Sequence, residues 1–260
     1  MDVSRICSLL GVSKDSVQEL TGGYHNDACL LNDTYVLRSG SDFLAHEYAF
    51  LSKSGFGPKA YLYDEHANTL VTEFIKAEHP KKYTSELVKQ VARFFSKLHT
   101  TSPQGVVLDT SWVDTYMQEH SLPRKAREVY AVYKSLPETK PTTVTHGDLA
   151  LTNILLTDPI TVIDWEFWTD ATPERELALF SFKVAKNPQL MDVVFEHYKH
   201  PIDEELYRRE WTKVAMEFIV LSHKWVTNPR VLQKRTRDEL IRRRDWLVDE
   251  AYKQIVTHTQ

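Results

Sequence analysis

The chain has 260 residues, 42% hydrophobic and 26% charged, with 32 basic and 36 acidic side chains for a net charge of −4. That apolar content is enough for a sizeable core and excludes disorder as the main state. A pI near 6.3 argues against sequence-independent binding to nucleic acid, which rests on surplus Lys and Arg. No stretch approaches the roughly 20 apolar residues that span a bilayer, and residues 1–16 lack the pattern of a signal peptide. Two cysteines, Cys7 and Cys29, build neither a disulfide framework nor a multi-cysteine metal site. The expectation is a cytoplasmic globular protein with no membrane or nucleic-acid partner.

The first third reads as strands. Residues 28–31 and 34–38 are short apolar stretches split by Asn32-Asp33, a pair suited to a tight hairpin. Residues 42–54 carry Phe43, Leu44, Tyr48 and Leu51 at near-helical spacing, and Gly55 offers a left-handed stop. Residues 60–63 and 69–75 form a second strand pair. The segment 76–82, rich in Lys, His and Pro, breaks the pattern and sets an expected boundary between an N-terminal lobe, 1–75, and a C-terminal lobe, 76–260.

In the second lobe, residues 85–99 place Leu87, Val91, Phe94, Phe95 and Leu98 on one helical face, and 124–136 form another helix. A β-rich interlude follows at 142–144, 153–156 and 160–163. The last eighty or so residues read as helices carrying Trp211, Phe218, Trp225 and Trp246. Strands first and helices after, with a β-interlude between, predict an α+β protein of two lobes.

The sharpest feature lies in that interlude. His146-Gly147-Asp148 is followed by Asn153, and Asp164 comes eleven residues after that, at the end of a strand. An isolated Asp before a turn is ordinarily an Asx cap, and a His before a loop is ordinarily a structural hydrogen bonder. Together they are the groups phosphoryl transfer requires: a carboxylate to orient the attacking hydroxyl, and an amide oxygen and second carboxylate to hold Mg²⁺ on the phosphates. A short hairpin between Asn153 and Asp164 delivers both to one place.

This stretch, with Ile163-Asp164-Trp165-Glu166, resembles the signature of the aminoglycoside phosphotransferase and choline kinase superfamily. The resemblance implies a protein-kinase-like fold, with an antiparallel sheet in the N-lobe and a mainly helical C-lobe, that uses ATP and Mg²⁺. It makes Asp148 the catalytic base and Asn153 and Asp164 the metal ligands. Thr21-Gly22-Gly23-Tyr24-His25-Asn26 is similar to the family's glycine loop, where Gly22 and Gly23 let backbone approach phosphate and Asn26 closes the motif. Arg38 stands where most kinases carry the phosphate-binding Lys, as in choline and ethanolamine kinases, and Glu47 is its natural partner. Thr72-Glu73-Phe74-Ile75 resembles the hinge that reads adenine, which assigns Glu73 and Ile75 to the nucleotide. Glu176-Leu177-Ala178 departs from the family's usual Asp at the first position.

For the acceptor, Trp165, Glu166 and Trp168 follow the metal aspartate directly. Aromatic faces plus a carboxylate suit a cationic alcohol such as choline, ethanolamine or thiamine. Ser222-His223-Lys224-Trp225 resembles the tryptophan-bearing stretch that boxes the amine in eukaryotic choline kinases, which adds Trp225. Two alternatives stay open: an antibiotic kinase acting on aminoglycosides, and a catalytically silent nucleotide-binding module. Arg235, Arg237, Arg242, Arg243 and Arg244 read as the solvated face of the last helix and do not favour a polycationic drug.

Overall fold

Asn32 and Asp33 both adopt positive φ, 52° and 50°, a conformation that tight turns use and that Asn and Asp tolerate. With Thr34 they make the three-residue connection from β2 (Asp27–Leu31) to β3 (Tyr35–Ser39), with Leu31 opposite Tyr35. In the computed structural model, residues 1–20, 27–226, 228 and 236–255 are described. With β1 (Val17–Leu20), β4 (Ala60–Asp64) and β5 (Thr69–Glu73), these strands make an antiparallel sheet of order β1-β2-β3-β5-β4.

A helix not anticipated from the sequence, α1 (Val3–Leu10), covers part of this sheet. Asp2 caps it by accepting from the Arg5 N–H, Gly11 ends it at φ 67°, and its Ile6 and Cys7 pack with Cys29, Leu31, Leu37 and Val71. The expected helix after β3 is α2 (Leu44–Ser54), stopped by Gly55 at φ 67°.

The chain forms two compact units. The first holds Met1–Thr101, Thr145–Thr169 and Lys183–Lys199. Besides the sheet it contains α3 (Ser85–Leu98), the hairpin β7 (Ile154–Leu155) and β8 (Thr161–Val162), and α7 (Leu190–His197). α3 buries the face its spacing predicts, including Leu87, Val91, Phe95 and Leu98, and packs against α7. His99, just past α3, pairs its Nδ1 with the Tyr198 hydroxyl at 2.7 Å. The division therefore does not follow the expected cut at residue 76. The sheet and the segment 145–169, far apart in sequence, pack into one body.

The second unit holds Ser102–Val144, Asp170–Phe182 and His200–Gln260. It is built from α4 (Ser111–Glu119), α5 (Arg124–Ser135), α6 (Pro173–Lys183, all but its last residue), α8 (Glu204–Trp225) and α9 (Arg237–Ile255). Val113, Val129, Met216, Ile219, Val220, Leu247 and Val248 share its core. Arg175 is buried and holds both Glu217 oxygens, at 2.9 and 2.8 Å, which satisfies charges that burial alone would make costly. Among the described residues no helix is long and apolar enough to cross a membrane.

Candidate active site

The buried strand β6 (Thr143–Thr145) leads the chain into His146-Gly147-Asp148. His146 is fully buried, and burial pushes its pKa below the ordinary value, so the ring is neutral. Its Nδ1 accepts from the Asp148 N–H at 3.2 Å, which leaves the proton on Nε2 to bond the Ile163 carbonyl at 3.1 Å. One side chain thus ties the loop bearing Asp148 to the strand end bearing Asp164. Gly147 between them sits at φ 83°, and a Cβ there would lie 2.4 Å from the Phe167 carbonyl oxygen. Only glycine fits.

The loop then closes on itself. Ala150 N–H donates to the Asp148 carbonyl at 2.8 Å, and Asn153 N–H donates to Ala150 at 2.9 Å. The Asn153 side-chain amide donates to the Asp148 carbonyl at 2.8 Å, with a longer 3.4 Å contact to Asp148 Oδ2. That fixes which end of the amide is nitrogen and turns Oδ1 away as an acceptor. Outside the loop, the Tyr83 hydroxyl donates to the Leu149 carbonyl at 3.1 Å, and burial, then the Asp148 charge, raise its pKa.

Asn153 meets the far end of the hairpin through its own carbonyl, which accepts from Ile163 N–H at 2.9 Å, next to Asp164. Asp164 adopts φ 66°, ψ 63°, a left-handed conformation that Asp tolerates better than most non-glycine residues. Its Oδ1 accepts from Arg38 Nη1 at 2.9 Å, and Arg38 Nη2 pairs with Glu47 of α2. The partnership expected between Arg38 and Glu47 is therefore present. Glu47 also accepts from Trp165 N–H at 3.2 Å, while its Oε2 is buried with no hydrogen-bond partner. Burial opposes the charge on Arg38, and Glu47 and Asp164 outweigh it, so the guanidinium pKa lies above its ordinary value.

Glu166 is buried next to this group and accepts from the Ser41 hydroxyl at 3.0 Å. Burial, then the nearby Asp164 charge, raises its pKa. At the other end of the loop, Lys183, the last residue of α6, pairs with Asp148 Oδ1. Sequence reasoning did not find Lys183, since nothing local links it to a loop 35 positions away. Asp148, Asp164, Glu47 and Glu166 thus share two cations, Arg38 and Lys183, which leaves the cluster short of positive charge. Among the described residues no three His, Cys, Asp or Glu side chains form a self-sufficient metal cage. The donor set fits Mg²⁺ held by one carboxylate and one amide oxygen, with phosphate oxygens and water completing the shell. Asp164 and Asp148 are 32% and 35% exposed, open to ligands, whereas Glu47 at 1% is not.

Two acceptor assignments need correction. Trp165 is fully buried, stacks on Phe50 at 4.5 Å, and donates its Nε1–H to the Val162 carbonyl at 3.0 Å. Trp168 is buried against His46 with ring centroids 4.5 Å apart, the two residues exchanging side-chain to main-chain hydrogen bonds. Both rings are core, so neither lines an open acceptor site. The exposed ring of the run is Phe167, 44% accessible and 5.7 Å from Phe43.

Trp225 ends α8 in the second unit, where the Arg243 guanidinium lies 5.9 Å from its ring centroid. Its neighbour Lys224 lies over the faces of Trp112 and Tyr116. Glu73 ends β5. Beyond it Phe74 N–H bonds Thr34, and the Ile75 carbonyl accepts from Ala77, so the chain leaves the sheet there. Gly22, Gly23 and Asn26 lie outside the described residues, as does Arg235. Arg237, Arg242 and Arg243 are exposed on α9, as a solvated face requires. Glu176 is buried in the first turn of α6.

Residues 16–212 match the model of the phosphotransferase enzyme family. The chain belongs to that family. No curated protein matches this phosphotransferase in sequence. Among solved structures it is similar to choline kinase LicA from Streptococcus pneumoniae (18% identity, 96% of this chain and 97% of that one, TM-score 0.73). A choline/ethanolamine kinase family protein from Mesorhizobium loti is similar at 16% identity over 98% and 94%, with a TM-score of 0.72. The spectinomycin phosphotransferase APH(9)-Ia, solved with ADP and spectinomycin, matches at 16% identity over 97% and 98%, with a TM-score of 0.66. These likenesses show that the phosphotransferase has the protein-kinase-like fold its sequence predicts.

Proposed function

We propose that this phosphotransferase moves the γ-phosphoryl group of ATP to the hydroxyl of a small, amine-bearing alcohol of the choline, ethanolamine or thiamine kind. The observation that carries the reading is the convergence of Asp148, Asn153 and Asp164 through the His146 and Asn153 hydrogen bonds. Asp148 orients the acceptor hydroxyl and takes its proton as the oxygen attacks phosphorus. Asn153 Oδ1 and Asp164 would hold Mg²⁺, which would supply charge neutralisation for the phosphates. Arg38, steadied by Glu47, meets phosphate oxygens alongside the Gly22-Gly23 loop and Asn26. Glu73 and Ile75, where the chain leaves β5, read the adenine through their backbone.

The amine is supported by the excess of carboxylates in the cluster and by the exposed Phe43–Phe167 pair beside it. Glu166 lies behind Ser41 with its pKa raised by burial, so it lines the site from beneath rather than as a surface contact. A silent module fits less well, because Asp148, Asn153 and Asp164, read here as base and metal ligands, are all retained. ATP dependence and two free cysteines suit a cytoplasmic setting.

The test is Mg²⁺-dependent ADP release from ATP across choline, ethanolamine, thiamine, amino sugars and aminoglycosides. One small amine alcohol should raise turnover well above the rest. Turnover only with aminoglycosides would replace this reading with the antibiotic-kinase one, and silence across the panel would overturn the acceptor class.

A further inference from the structure

We propose that Lys183 is a positioning residue for the base: its ammonium holds Asp148 Oδ1 so that Oδ2 is the oxygen presented to the acceptor hydroxyl. The inference rests on the kinase reading above and deepens it.

A carboxylate acting as base has two equivalent oxygens and rotates freely unless something distinguishes them. Here Lys183 takes Oδ1, while the Asn153 amide grips the Asp148 main-chain carbonyl at 2.8 Å and touches Oδ2 only at 3.4 Å. The main chain is fixed from one side and one oxygen from the other. The loop cannot supply this cation itself, because residues 146–153 contain no Lys or Arg, and position 150 is Ala. A lysine at a helix C-terminus is favourable on its own account, since it faces the negative end of the dipole. That preference explains a Lys in the last turn of α6 but not one whose ammonium is spent on the Asp148 carboxylate. At 20% and 35% exposure the pair is only partly solvated, so it is screened less than a surface ion pair.

The side-chain type matters. An ammonium is a compact point donor that holds one oxygen, whereas a guanidinium fork engages both oxygens of a carboxylate. Lys183→Arg therefore keeps the charge but covers Oδ2, and it should not rescue activity. Lys183→Cys treated with 2-bromoethylamine, which rebuilds an ammonium of nearly the original length on sulfur, should.

Two measurements test this on the 260-residue chain. The first is carbodiimide coupling, which activates the carboxylate, releases one of its oxygens as urea, and forms an amide with the amine. Peptide mapping should show Asp148 joined to Lys183, with the exposed pair Lys125–Asp249, 2.6 Å apart, as internal control. Absence of the first link where the second forms overturns the proposal. The second compares kcat and KM of wild type, Lys183→Met, Lys183→Arg, aminoethylated Lys183→Cys and Asp148→Ala, using MgATP with choline, ethanolamine, thiamine and kanamycin in turn. Lys183→Met should lower kcat roughly 10- to 100-fold while KM for ATP moves less than about 3-fold.

Wild-type kcat in Lys183→Met, against a wild type that Asp148→Ala silences, overturns the proposal, as does rescue by Arg. Should wild type and Asp148→Ala coincide at background, the kinase reading itself has failed, and the positioning role falls with it.

Discussion

Asn153 holds Asp148 by the main chain rather than by the carboxylate: its amide nitrogen is 2.8 Å from the Asp148 carbonyl oxygen and 3.4 Å from Oδ2. The side chain proposed to offer an oxygen to a metal therefore also fixes the loop that carries Asp148, the proposed base. Replacing Asn153 with Asp separates the two roles. The carboxylate still suits Mg²⁺, but it has no N–H to donate and meets the Asp148 carbonyl with like charge. The Asp148 carbonyl keeps the Ala150 N–H but loses its second donor, a net loss of about 0.5 to 1.5 kcal/mol to which the like-charge contact adds. Asn153→Asp should lower the melting temperature and reduce turnover, with added Mg²⁺ failing to restore it; denaturation curves and initial rates at several Mg²⁺ concentrations check this.

Gly147→Ala should be among the most damaging small substitutions in the chain. The residue sits at φ 83°, and a methyl group would press on the Phe167 carbonyl oxygen at 2.4 Å. Left-handed strain plus the backbone clash amount to about 2 to 5 kcal/mol. Because Phe167 follows closely on Asp164, any relief of the clash displaces either Asp148 or Asp164, the proposed base and metal ligand. Urea denaturation should show the loss, and activity should fall further than stability does.

Glu166 gives a pH-dependent prediction. Its folded-state pKa is raised by burial and by Asp164, so the fold favours the protonated carboxyl. The stability this contributes is present at low pH and is lost as pH rises through the raised pKa. Gln imitates the protonated form and can still accept from Ser41. Glu166→Gln should therefore melt higher than wild type at pH 8, and the gap should close as pH is lowered toward the ordinary glutamate value. Melting scans from pH 4.5 to 8 read it directly, and a gap that widened on acidification would contradict the account.

Much of this was legible in the sequence, and the exceptions share a cause. Asn32-Asp33, the Gly55 stop and the Arg38–Glu47 pair depend on local geometry or on elements consecutive in the chain, so residue type and spacing reveal them. The convergence of Asp148, Asn153 and Asp164 was readable because a short hairpin joins them. The tryptophans were not. Trp165 is enclosed by Phe50, Phe56 and Phe94, from three segments between 71 and 115 residues earlier in the chain. No local pattern distinguishes a ring packed by such distant partners from one facing a ligand. Lys183 was missed for the same reason, since it reads as an ordinary helix-terminal lysine until the fold brings Asp148 to it.

The most direct test of the central claim is Mg²⁺-dependent ADP release by wild type and Asp148→Ala, with the best acceptor from the panel and with MgATP binding measured on both by calorimetry. The account predicts that Asp148→Ala binds MgATP about as well as wild type but turns over at least about 100-fold more slowly, because a base is lost and a nucleotide site is not. Wild-type turnover in Asp148→Ala would contradict it.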